Sequence, residues 1–381
     1  MVDQTRRRIL AGMAALVPCA GAQVAVGTSS SLLPTETTPP VEIRDALTRT
    51  LGRMPVRPKP AFRTLESVKL PSGWRYKIEY LSEPADSLFH TPPDLVRAYL
   101  FMPEHKEHQK LPAIIAIHQD GPQSHIGKSE PAGLTGDPNL FYGLELFQRG
   151  YVVLCPDRFY HAERRRVTPN DMSSINPERD DQLQNHWVGQ LLLRGRNGYG
   201  KEVYDSMVAT DILRALDYVD AERIGAIGHS AGGNALVYFM FADERVHAGV
   251  SSCGLFDMCR FFDENAPMRR LAATALPNLA QVGSSADYLA LIAPRPMLLT
   301  RGQWEWGKEN GMREGWSKNH VEETKEMVAR AREQYARLKA TDKLSAIYFD
   351  EDGGNHAFPP HVRQQAYEWL DQQLSNATAA S

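Results

Sequence analysis

Cysteine is scarce in this chain, with four among 381 residues. None stands among histidine and cysteine neighbours at zinc-site spacing, so no structural metal is expected. Cys253 and Cys259, six positions apart, are the pair an oxidising compartment would join, although spacing alone does not establish the bond. Charge of one sign is also lacking. A formal net charge of −3 gives no basic field to hold a phosphate backbone, which argues against nucleic acid as a partner. The densest basic patch, Glu163 to Arg166, reads as a solvated loop. Long apolar runs are missing too. The run that follows Arg6-Arg7-Arg8 stops at Val17, well short of the roughly 20 residues a bilayer span requires, so no stable membrane insertion is expected.

What the sequence does have is the composition of a globular protein, 42% hydrophobic and 23% charged, with chain enough for one large domain and its decorations. Residues 1–22 resemble a twin-arginine export signal ending in Ala20-Gly21-Ala22, which predicts a periplasmic or secreted protein. Residues 23–60, rich in Ser, Thr and Pro, read as a linker with one short helix at Val41 to Leu51. Residues 61–381 alternate strand-like and helix-like segments. Leu65 to Leu70, Trp74 to Leu81 and Leu95 to Met102 predict antiparallel opening strands, and Leu111 to Ile117 and Tyr151 to Cys155 predict buried parallel ones. A polar insertion at about 157–200, with its own helix around Gln182 to Leu193, reads as a lid or pocket wall. The pattern specifies an α/β fold with a mainly parallel central sheet, antiparallel opening strands and helices on both faces.

The chemistry centres on Gly228-His229-Ser230-Ala231-Gly232-Gly233, which joins the strand Arg223 to Ile227 to the apolar helix Asn234 to Phe241. Gly-x-Ser-x-Gly between strand and helix is a nucleophile elbow, whose tight turn aims the serine hydroxyl out of the sheet. The backbone N–H of Ala231, at the positive end of the helix, is one candidate oxyanion donor. The second is expected in the loop after Leu111 to Ile117, from Gln119 or Asp120. A serine needs a base, and His356, in a glycine-rich loop after the last strand, is the best placed of twelve histidines. The acid should follow Met297 to Thr300. Glu305 is the first choice, with Asp257 and Glu309 as alternatives. His118, Lys128, Arg301, Trp304 and Trp306 are candidate substrate contacts. For His118 a structural place beneath the loop is the competing reading, and for the tryptophans support of the acid loop is.

These phrases, together with Gly127-Lys128-Ser129-Glu130-Pro131-Ala132-Gly133-Leu134, Arg301-Gly302-Gln303-Trp304-Glu305 and Asn355-His356-Ala357-Phe358, resemble the dienelactone-hydrolase-related α/β-hydrolases. That group includes exported esterases similar to acetyl xylan esterases, and the resemblance covers roughly Leu65 to Leu374. It implies a serine esterase acting on a small or carbohydrate ester without a cofactor. Dienelactone hydrolases proper use cysteine where this chain has Ser230, and carry Asp where it has Glu305. Two other readings stay open. One is a serine peptidase of prolyl-oligopeptidase type, although too little chain precedes Leu111 for the propeller those enzymes carry. The other is a non-catalytic binding protein on a hydrolase fold.

Overall fold

The computed structural model describes residues 40–120, 125–165, 177–258, 275–305 and 316–375. The expected signal at 1–22, Trp306, Glu309, Cys259 and the middle of the insertion lie outside them. Nine strands form one sheet in the order β1-β2-β3-β5-β4-β6-β7-β8-β9. The first three, β1 (Phe62–Leu70), β2 (Gly73–Glu83) and β3 (Asp94–Pro103), run antiparallel, and β3 is also antiparallel to β5 (Val152–Pro156). From β5 onward the pairs are parallel, through β4 (Leu111–Ile117), β6 (Val219–His229), β7 (Ala248–Ser252), β8 (Met297–Gly302) and β9 (Leu344–Phe349).

Side-chain alternation explains why these strands read as continuous apolar runs. In β4, Ala113, Ile115 and Ile117 join one hydrophobic cluster while Ile114 and Ala116 join the other. Both faces are therefore covered, as a parallel sheet requires. One cover contains α4 (Gly198–Arg214), α5 (Ala231–Ala242) and α6 (Ser285–Ala290); the other contains α2 (Tyr142–Gln148) and α8 (Pro360–Ser375). Helix α5 is buried from Gly232 to Phe241 without a polar stripe, the pattern of a helix enclosed by its neighbours.

Two expectations need correcting. The helix foreseen within the linker, α1 (Pro40–Thr50), is packed into the core, with Leu47 fully buried and Leu51 close behind. Thr50 and Leu47 also accept or share hydrogen bonds with the Tyr288 hydroxyl. The described part of the basic patch, Glu163 to Arg165, is not a solvated loop either. Arg164 and Arg165 are buried, and Arg164 donates to Asp94 at 2.6 Å and to Asp205 at 2.9 Å. Those carboxylates come from distant strand and helix positions, so local sequence gave no sign of the pairing. Cys155 and Cys253 are buried free thiols.

Candidate active site

The parallel strands end along one edge of the sheet, and the elbow rises from the centre of that edge. Ser230 follows β6 directly and caps α5, with φ 55° and ψ −126°. Positive φ in a residue that carries a Cβ is strained, and the surrounding backbone holds it there: Ser230 N donates to Ser252 O at 2.8 Å and Asn234 N to Ser230 O at 2.9 Å. Glycine on either side is a requirement of space. A Cβ on Gly232 would stand 2.4 Å from Ile117 O, and one on Gly228 would stand 2.5 Å from Gly232 O. Strand β4 thus passes close enough to the start of α5 to bring its following loop beside the serine.

His356 Nε2 lies 2.7 Å from Ser230 Oγ, and His356 Nδ1 is hydrogen-bonded to Glu305 Oε1. Glu305 is fully buried, and Arg301 Nη1 donates to its other oxygen, Oε2. Burial opposes ionisation of this carboxyl, but the Arg301 guanidinium and His356 outweigh it and hold it down at about 2. The carboxylate is therefore charged across the physiological range. Both ring nitrogens of His356 are thereby engaged, and the position that Asp257 would need is occupied. The acid and histidine loops touch because Gly302 has no side chain; a Cβ there would stand 2.3 Å from Gly354 O and Asn355 O.

Several residues expected to meet substrate have other partners. Arg301 is 1% exposed, and its Nε and Nη2 donate to Thr324 Oγ1 and Leu255 O. It cannot reach a substrate carboxylate. Lys128 is buried between Asp157 and Glu163, at 2.6 and 2.5 Å, and serves the loop rather than the pocket. His118 is also buried: Nδ1 donates to Gln119 O at 2.6 Å and Nε2 accepts from Arg158 N at 2.9 Å. Burial, reinforced by His161 and Arg158, keeps it neutral by pushing its pKa well down. Trp304 remains available, with 44% of its surface exposed and its backbone N–H bonded to Gly354 O at 2.8 Å.

One contributor passed unnoticed in the sequence. Arg158 donates to Asp120 Oδ1 at 2.7 Å and to His118 O at 3.3 Å, and both oxygens of Glu202 accept from its Nη2, at 2.7 and 2.9 Å. His161 Nε2 adds a 3.0 Å contact to the same Asp120 oxygen. The loop that holds the amides of Gln119 and Asp120 is fixed by this clamp. A charged residue just after a buried strand was the available signal, but its partners lie 38 and 44 positions away.

Two groupings among the described residues bring three metal-type donors together. In the first, Cys253, Glu305 and His356, burial keeps the thiol protonated by raising its pKa, and Glu305 is already paired with Arg301. In the second, Glu83, Asp94 and Asp205, the Lys201 ammonium occupies the cation position at 2.7, 2.7 and 2.5 Å. Neither set has donors to spare for an ion.

The model of the prolyl oligopeptidase family (Peptidase_S9) matches residues 189–304, a stretch that holds Ser230 and stops one residue short of Glu305. YtaP of Bacillus subtilis (strain 168), a protein named as a hydrolase, is 29% identical over 204 residues, which are 53% of this chain and 62% of YtaP. The match thus spans less than two thirds of that relative. Among solved structures, a Bacteroides fragilis protein described as an acetyl xylan esterase superposes with TM-score 0.63 at 18% identity, over 82% of this chain and 74% of its own. A glucuronoyl esterase from Solibacter usitatus gives TM-score 0.57 at 15% identity, over 88% of this chain and 92% of its own. At such identities the likeness is one of fold.

Proposed function

We propose that this chain, an α/β-hydrolase by fold, is a serine carboxylic-ester hydrolase in which Ser230 is the nucleophile, His356 the general base and Glu305 the acid. The observation that carries the reading is the continuous hydrogen-bond path from Ser230 Oγ through both His356 nitrogens to an ionised Glu305. With Nδ1–H donated to Glu305, Nε2 is left as the acceptor for the serine proton. Ser230 Oγ attacks the acyl carbon as its proton passes to Nε2, and the carbonyl oxygen gains the negative charge. In this reading the Ala231 N–H, at the start of α5, and a loop amide of Gln119 or Asp120 stabilise it. The imidazolium returns the proton to the departing alkoxide, which leaves as the alcohol. Water then repeats the sequence in reverse on the acyl-serine.

Neighbours in fold described as an acetyl xylan esterase and a glucuronoyl esterase support an ester-bearing carbohydrate as the substrate. The exposed Trp304 ring, beside the histidine loop, provides a flat face for a sugar ring. The arginine-rich start of the chain supports export, and no helix among the described residues is long and apolar enough to cross a membrane. The test is hydrolysis of short-chain and acetylated-sugar esters with fluorophosphonate labelling. Ser230→Ala should lower kcat by about 10⁴-fold or more and abolish the label. A wild-type chain that neither turns over an ester nor takes the label would refute the reading.

A serine-peptidase alternative is favoured by the match of residues 189–304 to the prolyl oligopeptidase family. Cleavage of prolyl p-nitroanilides at rates above those of acetyl esters would decide for it.

A further inference from the structure

A cavity of about 530 Å³, within the range of small-ligand sites, opens on the catalytic edge of the sheet but contains none of Ser230, Glu305 and His356. Its place follows from topology. The end of β2 at Glu83 and the start of β3 at Asp94 line it. Because β2 runs antiparallel to β3, and β3 to β5, these two ends share the edge on which β5, β4 and β6 finish. Strands β3 and β2 are three and four steps from β6 in the sheet. At about 4.8 Å per step, the cavity lies roughly 14–19 Å along this edge from the serine.

The charges lining it are unevenly matched. Arg196 and Lys201 are each held by Glu83 at 2.7 Å. Arg194 is different: Nε and Nη2 have no hydrogen-bond partner, and the nearest carboxylate oxygen, Asp86 Oδ2, is 3.6 Å away. The other Asp86 oxygen is taken by the backbone N–H groups of Leu88 and Phe89. The Arg194 guanidinium lies 4.0 Å over the Phe89 ring, which fixes its plane. Arg53 adds a second cation to the wall, and Trp187 and Leu191 supply flat and apolar surface. Leu88 and Leu193, at the same cavity, are 79% and 80% exposed, and such apolar side chains on a cavity wall suit a ligand that covers them.

We infer that this cavity binds a carboxylate-bearing sugar unit of the same saccharide chain whose ester is cleaved at Ser230. The inference rests on the proposed carbohydrate-ester reading. The carboxylate accepts from Arg194 and Arg53, the ring lies against Trp187, and the distance to the serine is bridged by the intervening sugar units. A half-buried guanidinium whose one ion pair, to Asp86, is 3.6 Å long and whose donors are unmet favours an anionic oxygen over a neutral hydroxyl.

The test measures binding without turnover, so that it stands apart from whether the esterase reading is right. The Ser230→Ala chain, and the same chain with Arg194→Ala added, are titrated calorimetrically with a hexuronic-acid tetramer, a neutral xylose tetramer and free galacturonate. Binding of the acidic tetramer at least about tenfold tighter than the neutral one, with that preference erased by Arg194→Ala, is the expected result. Arg194→Ala in the otherwise unchanged chain should keep its melting temperature and its hydrolysis of p-nitrophenyl acetate. Equal binding of the two tetramers, or a preference that survives Arg194→Ala, would overturn the inference. So would free galacturonate binding as tightly as the tetramer, which would make the cavity a site for a separate small anion. A fall in p-nitrophenyl acetate hydrolysis without loss of melting temperature would place the cavity within the reaction site and overturn it as well.

Discussion

His356 Nδ1 has room for a single carboxylate, and the structure places Glu305 there, pinned on its far side by Arg301. In Glu305→Gln the side-chain shape is kept but the charge that favours the imidazolium is lost. We expect kcat to fall by about 10³- to 10⁴-fold with KM little changed. Unfolding should also occur at a lower temperature, because the Arg301 guanidinium is left buried without its anion. Asp257→Asn, by contrast, should retain activity to within a few-fold. Ester turnover by the two variants, measured side by side, decides between the carboxylates; loss in Asp257→Asn alone would reverse the assignment.

The elbow is a problem of space before it is one of chemistry. Gly232→Ala sets a methyl group 2.4 Å from Ile117 O, in a backbone that cannot give way without moving the serine. The expected cost is about 1–3 kcal/mol in stability, read as a lower denaturation midpoint in urea, together with a loss of activity larger than that cost explains. An unchanged midpoint would mean that α5 can slide away from β4. This element was legible in the sequence because a strand, a glycine-flanked serine and a helix are each local patterns. The opening strands and the helix at Gln182 to Leu193 were readable for the same reason, the latter within α3 (Pro177–Leu193). The places of Arg158, Lys128 and Arg301 were not, since each is decided by carboxylates that only folding brings near. Polarity along the chain marked Lys128 and Arg301 as substrate-facing and set Arg158 in a polar insertion, whereas fixed partners bury all three.

Across the whole molecule, buried cations hold a set of carboxylates in the ionised form. Burial opposes ionisation in each case. Lys201 and Arg196 nevertheless bring Glu83 to about 2, Lys128 and Lys77 bring Glu163 to about 2, and Arg301 does the same for Glu305. Asp94 is depressed as well by Arg164 and Lys201. A folded pKa below the unfolded value of 4.5 stabilises the fold fully above that value and progressively less as pH falls toward 2. The urea midpoint should therefore decline gently below about pH 6.5, where unfolding lets a neutral buried histidine such as His118 take up a proton, and drop steeply between about 4.5 and 2.5. A midpoint that holds to about pH 3 would show that these pairs contribute little.

The hydrogen-bond path at the serine joins residues 126 and 51 positions apart. During synthesis Ser230 thus emerges long before His356, its partner in that path. Under the proposed mechanism a growing chain therefore carries Ser230 without its base until residue 356 has been made and folded into place.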